Sequence, residues 1–93
     1  MSFCRVPLII DKTATVSDVN EIIDSLDDAN VFIDYTTMIF SDSGLYVDAG
    51  YVDGQDIERT IEEIRIRTGH VRIDSERLTA RKDIAELELR GAI

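Results

Sequence analysis

Residues 31–52 constrain the fold of this chain more than any other stretch. Val31 to Ser41 and Leu45 to Val52 are two runs rich in β-branched and aromatic residues, and Asp42-Ser43-Gly44 between them is a turn signal. Together they predict a β-hairpin. With Ser41 opposite Leu45, Ile39 faces Val47, Thr37 faces Ala49 and Tyr35 faces Tyr51. With Val31 and Ile33 these residues form a largely apolar face. The opposite face then holds Phe32, Asp34, Thr36, Met38, Phe40, Tyr46, Asp48, Gly50 and Val52. A slip of one residue exchanges the two faces, because side chains alternate with period two.

Helix patterns flank the hairpin. Before it, Thr15 and Asp18 fit a T-x-x-D capping box, and Val16, Val19, Ile22, Ile23 and Leu26 recur at helical spacing. Asp18, Glu21, Asp24, Ser25 and Asp28 lie away from that stripe. Asp27 and Asp28 fall at the C-terminal end, where the helix dipole disfavours anions. After the hairpin, Asp53 is the expected N-cap of a second helix with Ile57, Ile61, Ile64 and Thr68 on one stripe and Gly69 as its terminator. Glu63 and Arg67 are spaced as an i,i+4 pair.

Arg5 to Ile10 reads as a first strand, placed at an edge or a bulge because Pro7 cannot donate to a ladder. Val71 and Ile73 read as a further strand. Ala85, Leu87 and Leu89 alternate with Glu86, Glu88 and Arg90, which predicts a last strand, although Ala, Glu, Leu and Arg are all helix formers. The expectation is a single α+β domain over 1–93, ordered β-α-β-β-α-β in the ferredoxin-like manner, with both helices on one sheet face and an extra C-terminal strand. The other sheet face is then solvated, covered by the C-terminus or buried on a partner.

Charge bears on partners. The first 54 residues carry ten carboxylates and two bases, whereas the last 39 carry nine acids and eight bases, and the whole chain stands at -9. Hydrophobic content of 44% argues against global disorder at that charge. Nucleic-acid phosphates and anionic membranes demand clustered Lys and Arg, so neither direct nucleic-acid binding nor membrane binding is expected. The run from Phe3 to Ile10 is too short and too interrupted to be a signal peptide or a membrane span, which makes the cytoplasm the expected location.

No motif for chemistry stands out. Cys4 is the only cysteine and reads as a buried thiol. His70 is the only histidine, beside a helix end, and no Cys or His stands at metal-ligand spacing from it. Gly44, Gly50 and Gly54 match neither a Walker loop nor a dinucleotide fingerprint. Asp34 and Asp48 share a predicted sheet face without being directly opposite, and read as two solvated strand charges. Phe32, Phe40 and Tyr46 on the open face could stack bases in an RNA binder, but their strands carry acids and no base. No cofactor is expected.

The leading expectation is therefore a non-enzymatic acidic module that binds a basic protein surface. Its contact residues would be Asp18, Glu21, Asp24, Asp27, Asp28, Phe32, Asp34, Phe40, Tyr46 and Asp48. An extreme form is an inhibitor of the defence or counter-defence type that mimics nucleic acid. The alternative is a regulatory domain that binds a small metabolite near the Asp42 to Asp56 loops and forms a homodimer through its open sheet face.

Overall fold

A computed structural model describes residues 2–91. The elements run β1 (Phe3–Asp11), α1 (Val16–Asp28), β2 (Phe32–Ser41), β3 (Gly44–Val52), α2 (Ile57–Thr68), β4 (Val71–Ile73) and α3 (Ser75–Leu89). The four strands form one open antiparallel sheet with neighbours β2-β3-β1-β4. The fold is α+β with three helices.

Val6, Leu8 and Ile10 of β1, Leu45, Val47 and Ala49 of β3, and Val71 of β4 share a buried cluster with Ile22 and Leu26 of α1 and Ile61 and Ile64 of α2. These strand residues have one parity, so α1 and α2 pack on the same sheet face. Each large aliphatic side chain fully removed from water there contributes about 1.5–3 kcal/mol. The capping box at Thr15 forms in full: Asp18 N donates to Thr15 Oγ1 at 3.1 Å, and Thr15 N donates to Asp18 Oδ2 at 2.8 Å. Asn30, with φ 58°, turns the chain out of α1.

Pro7 lies in a central strand, not at an edge or a bulge. Continuing the β1–β4 register beyond Leu8–Ile73 would set Pro7 opposite Asp74. Pro7 has a carbonyl to offer, which accepts from Asp74 N at 2.9 Å, but no N–H to return. The Asp74 carbonyl accepts from Leu78 N instead, and the Asp74 side chain accepts from Arg77 N. The strand therefore stops and α3 starts at one residue.

That start corrects the expected C-terminal strand. Residues 75–89 form a helix, and no residue in it is buried. With no ladder offered to them, Ala, Glu, Leu and Arg follow their intrinsic preference. The first turns of α3 cross the sheet face opposite α1 and α2, where Pro7 and Ile9 are buried.

The hairpin register also differs. Ser41 pairs with Gly44, Phe40 with Leu45 and Ile39 with Tyr46. Beyond a bulge, Asp34 pairs with Asp48 and Ile33 with Ala49. Four residues of β2, Tyr35 to Met38, stand against Val47 alone, so three extra residues reverse the parity of β2. Ile39 is exposed rather than buried against the helices, and Phe40 sits on the α1 side rather than the open face. The bulge is pinned locally. Asp34 Oδ1 accepts from Thr36 N at 3.1 Å and from Thr36 Oγ1, while Thr37 Oγ1 donates to the Asp34 carbonyl at 2.7 Å and accepts from Asp48 N at 2.8 Å.

Two further details change. Asp56, not Asp53, caps α2, because the N–H of Asp53 still donates to the Ser2 carbonyl at the end of the ladder. Glu63 pairs with Arg59 instead of Arg67, and Glu62 pairs with Arg65. Gly69 ends α2 in the left-handed conformation, as its position suggests.

Candidate functional site

α1 and the β2 edge build a grooved surface. A groove of about 550 Å³ runs between them, floored by Ile10, Val19 and Leu45 and walled by Val16, Met38 and Phe40. Phe40 is 78% exposed, a large apolar side chain left open to water. A smaller recess of about 190 Å³ adjoins it, lined by Asp24 and Asp27 of α1 and by Val31, Phe32 and Ile33. Ile23 and Tyr35 line both, so the two are continuous. Apolar area and carboxylates thus meet along one helix. Glu21, Asp24, Asp27 and Asp28 are exposed, and among the described residues none has a basic partner at ion-pair distance.

Asp18 is different. Besides its capping role it lies 3.2 Å from His70 Nε2, while His70 Nδ1 lies 3.2 Å from Asp11 Oδ1. The Thr13 hydroxyl and backbone N–H both donate to Asp11, and the Asp11 N–H donates to the His70 carbonyl. These bonds clip the β1–α1 loop to the α2–β4 junction. They also set the titration of both acids. Thr13 holds Asp11 below the usual carboxylate range, with His70 adding to the effect, and the Thr15 backbone and hydroxyl do the same for Asp18. Among the described residues, no group of three or more His, Cys, Asp or Glu is arranged to hold a metal ion.

Asp34, Tyr46 and Asp48 fall on the opposite sheet face, apart from the α1 surface. Asp34 and Asp48 are directly opposite each other, which corrects the expected offset. Two facing carboxylates would repel, but each has its own arginine. Arg5 pairs with Asp34, and Arg81 of α3 reaches Asp48 with Nη2 2.7 Å from Oδ1. Thr36, with Arg5, holds Asp34 below its ordinary range. Asp48 is only 7% exposed, so it is an internal anchor and not a solvated strand charge. Arg77 lies 5.3 Å from the centre of the Tyr46 ring, a cation–π distance, and also pairs with Asp74 at 2.7 Å.

Sequence reasoning thus assembled ten candidates that the fold divides in two. Asp24, Asp27, Phe32 and Phe40 line the α1–β2 surface, with Glu21 and Asp28 exposed on the same helix. Asp34, Tyr46 and Asp48 are occupied by arginines, and Asp18 by its cap and His70. Val16, Ile23 and Tyr35 were missed as surface residues because helix and strand periodicity assigns them to the core, and Met38, expected on the open face, lines the groove on the α1 side instead. Arg77 and Arg81 carried a usable signal, i,i+4 spacing on one helix face, which the strand reading of residues 75–90 hid.

No helix among the described residues is long and apolar enough to cross a membrane. No protein-family model, curated protein or solved structure matches the chain.

Proposed function

We propose that this chain is a non-enzymatic interaction module whose α1–β2 surface receives a basic, partly apolar segment of another protein. The observation that carries this reading is the recess in which Asp24 and Asp27 stand beside Phe32 and Tyr35, continuous with the groove at Phe40. Carboxylates without internal partners steer a basic surface and raise its association rate. Aromatic and Met side chains supply the contact area that interface cores favour. The extreme form of the reading is an inhibitor that presents the acids of α1 where nucleic-acid phosphates would lie. Element order and strand neighbours support a ferredoxin-like reading of the fold, and that class hosts too many activities to add to the argument.

The test is capture from native extract with the wild type beside Glu21→Gln/Asp24→Asn/Asp28→Asn, followed by association rates against ionic strength. The expected result is a basic partner that the wild type captures faster than the variant at low salt, with the difference shrinking as salt rises and a flatter salt slope for the variant. Identical slopes would reduce the acids to solubilising charge.

The groove also favours a second reading, a metabolite-binding regulatory domain, since about 550 Å³ lies within the range of small-molecule sites. It approaches the expected Asp42 to Asp56 region only through Ser41, Gly44 and Leu45. A ligand-dependent rise in melting temperature, abolished by Phe40→Glu, would select this reading.

A further inference from the structure

β2 is the long free edge of the sheet. It pairs with β3 on one side and with no strand on the other, and its ten residues contrast with the three of β4 at the opposite edge. Natural edges are blunted by Lys, by Pro, by bulges or by shortness. β2 has no Lys and no Pro, and its one charge, Asp34, is paired with Arg5. Its remaining device is the bulge, which divides it into two ladder segments, Phe32–Asp34 and Ile39–Ser41. Phe32, Tyr35, Ile39 and Phe40 are still 48–78% exposed, so four of the ten large apolar side chains open to water among the described residues stand on this one strand.

The backbone selects the shape that can cover them. Each ladder segment turns amide and carbonyl groups outward. A body that seals the groove at Phe40 also shuts water away from those groups, which then need partners. A helix keeps its backbone bonds internal and would leave the edge unpaired. An extended chain pairs with the edge and turns every second side chain to the face where the groove lies.

Charge selects whose strand it is. Asp24 and Asp27 line the recess beside Phe32, and among the described residues neither has a base at ion-pair distance. Lys12 lines the groove but not the recess. The β2 of a second copy contains no base to bring there. A strand of another protein with Lys or Arg at that end supplies the missing charge.

We propose that the β2 edge accepts an extended segment of another protein as a fifth strand. It pairs with Ile39–Ser41, sets alternate apolar side chains in the groove and places a Lys or Arg at Asp24 and Asp27. The conformation and register of the segment are new to the reading of the α1–β2 surface as a site for a basic segment, on which they rest.

Ten-residue peptides selected from a random library on the immobilised full chain supply the probe. They are expected to carry apolar residues at alternate positions and Lys or Arg toward one end. Binding should weaken about tenfold in Asp24→Asn/Asp27→Asn and in Phe40→Glu, and both variants should fold, since all three side chains are at the surface. For the tightest peptide, N-methylation of one alternating set of backbone nitrogens should abolish binding, and methylation of the other set should leave it nearly unchanged, because only one set faces β2. Basic peptides that need the two aspartates but tolerate both methylations would overturn strand addition and leave the basic-segment reading standing. Peptides sensitive to one set but indifferent to Asp24→Asn/Asp27→Asn would overturn the basic reading and with it the choice of partner. A library that yields no binder, while a basic protein is still captured through the acids, would overturn strand addition alone. Sedimentation of a wild-type dimer that Phe40→Glu dissolves would give the edge to a second copy instead.

Discussion

α1 and α3 are both rich in charge, and they dispose of it in opposite ways. α1 holds five acids and no base, and four of those acids have no partner within the described residues. α3 mixes signs, and its arginines reach carboxylates on Asp74, Asp48 and Glu86. The difference follows from what each helix needs. α1 is held by apolar packing of Ile22 and Leu26, so its outer charges are free of structural duty. α3 has no fully buried residue, and ion pairs with hydrogen bonds attach it to the sheet. A carboxylate with an arginine in reach is consumed by the fold. One without remains available to a partner.

The comparison breaks most readily at Asp48. Arg81→Ala leaves a buried carboxylate unpaired, and we expect a loss of about 2 kcal/mol in chemical denaturation together with faster amide exchange in α3. Asp48→Asn should cost less, about 1 kcal/mol, because it leaves a half-exposed arginine that water can solvate. Equal losses, or none, would mean that α3 is not held by this pair.

Thr15→Ala tests the one acid of α1 that the fold does consume. Loss of the capping box should cost about 1 kcal/mol. It should also change the pH dependence. Asp11, Asp18 and Asp34 titrate below their ordinary values in the folded chain, so their contribution to stability is present above about pH 4 and is lost as pH falls through the folded values. The variant frees Asp18, and its stability should fall less steeply with acid than that of the wild type. Parallel acid limbs would show that the cap does not set the titration.

The smallest effect is expected on the free acids. Glu21→Gln/Asp24→Asn/Asp28→Asn should move stability by no more than about 0.5 kcal/mol, and upward if at all, since Asp28 opposes the helix dipole and the chain carries -9. A clear loss by thermal melting would reveal a structural role for these acids and close the contrast between the helices.

Much of the architecture was legible locally. The Thr15–Asp18 box, the Ile22–Leu26 stripe, the Ile61–Ile64 stripe and the Gly69 stop each depend on residues within a few positions, and each formed where its pattern lies. The acidic surface of α1 was legible for the same reason, since a helix face is defined by its own residues. The apolar half of the site was not. Three extra residues between Asp34 and Ile39 reverse β2, and strand parity is a property of pairing between strands rather than of either strand alone.

Residues 75–89 mark the same boundary. Their alternation and their helix propensity conflict, and local pattern cannot arbitrate. The decision was made 67 residues away, at Pro7, which has no N–H to extend the ladder past Ile73 and so leaves the Asp74 carbonyl to open a helix. By itself the sequence determined the start of α1, the stop of α2, the apolar stripes of both helices and the division of charge, because these are set by neighbours along the chain. Tertiary structure alone decided which face Phe40 takes, which arginine meets Asp48 and whether the C-terminus is strand or helix, because each depends on a hydrogen-bond or charge partner that sequence distance hides.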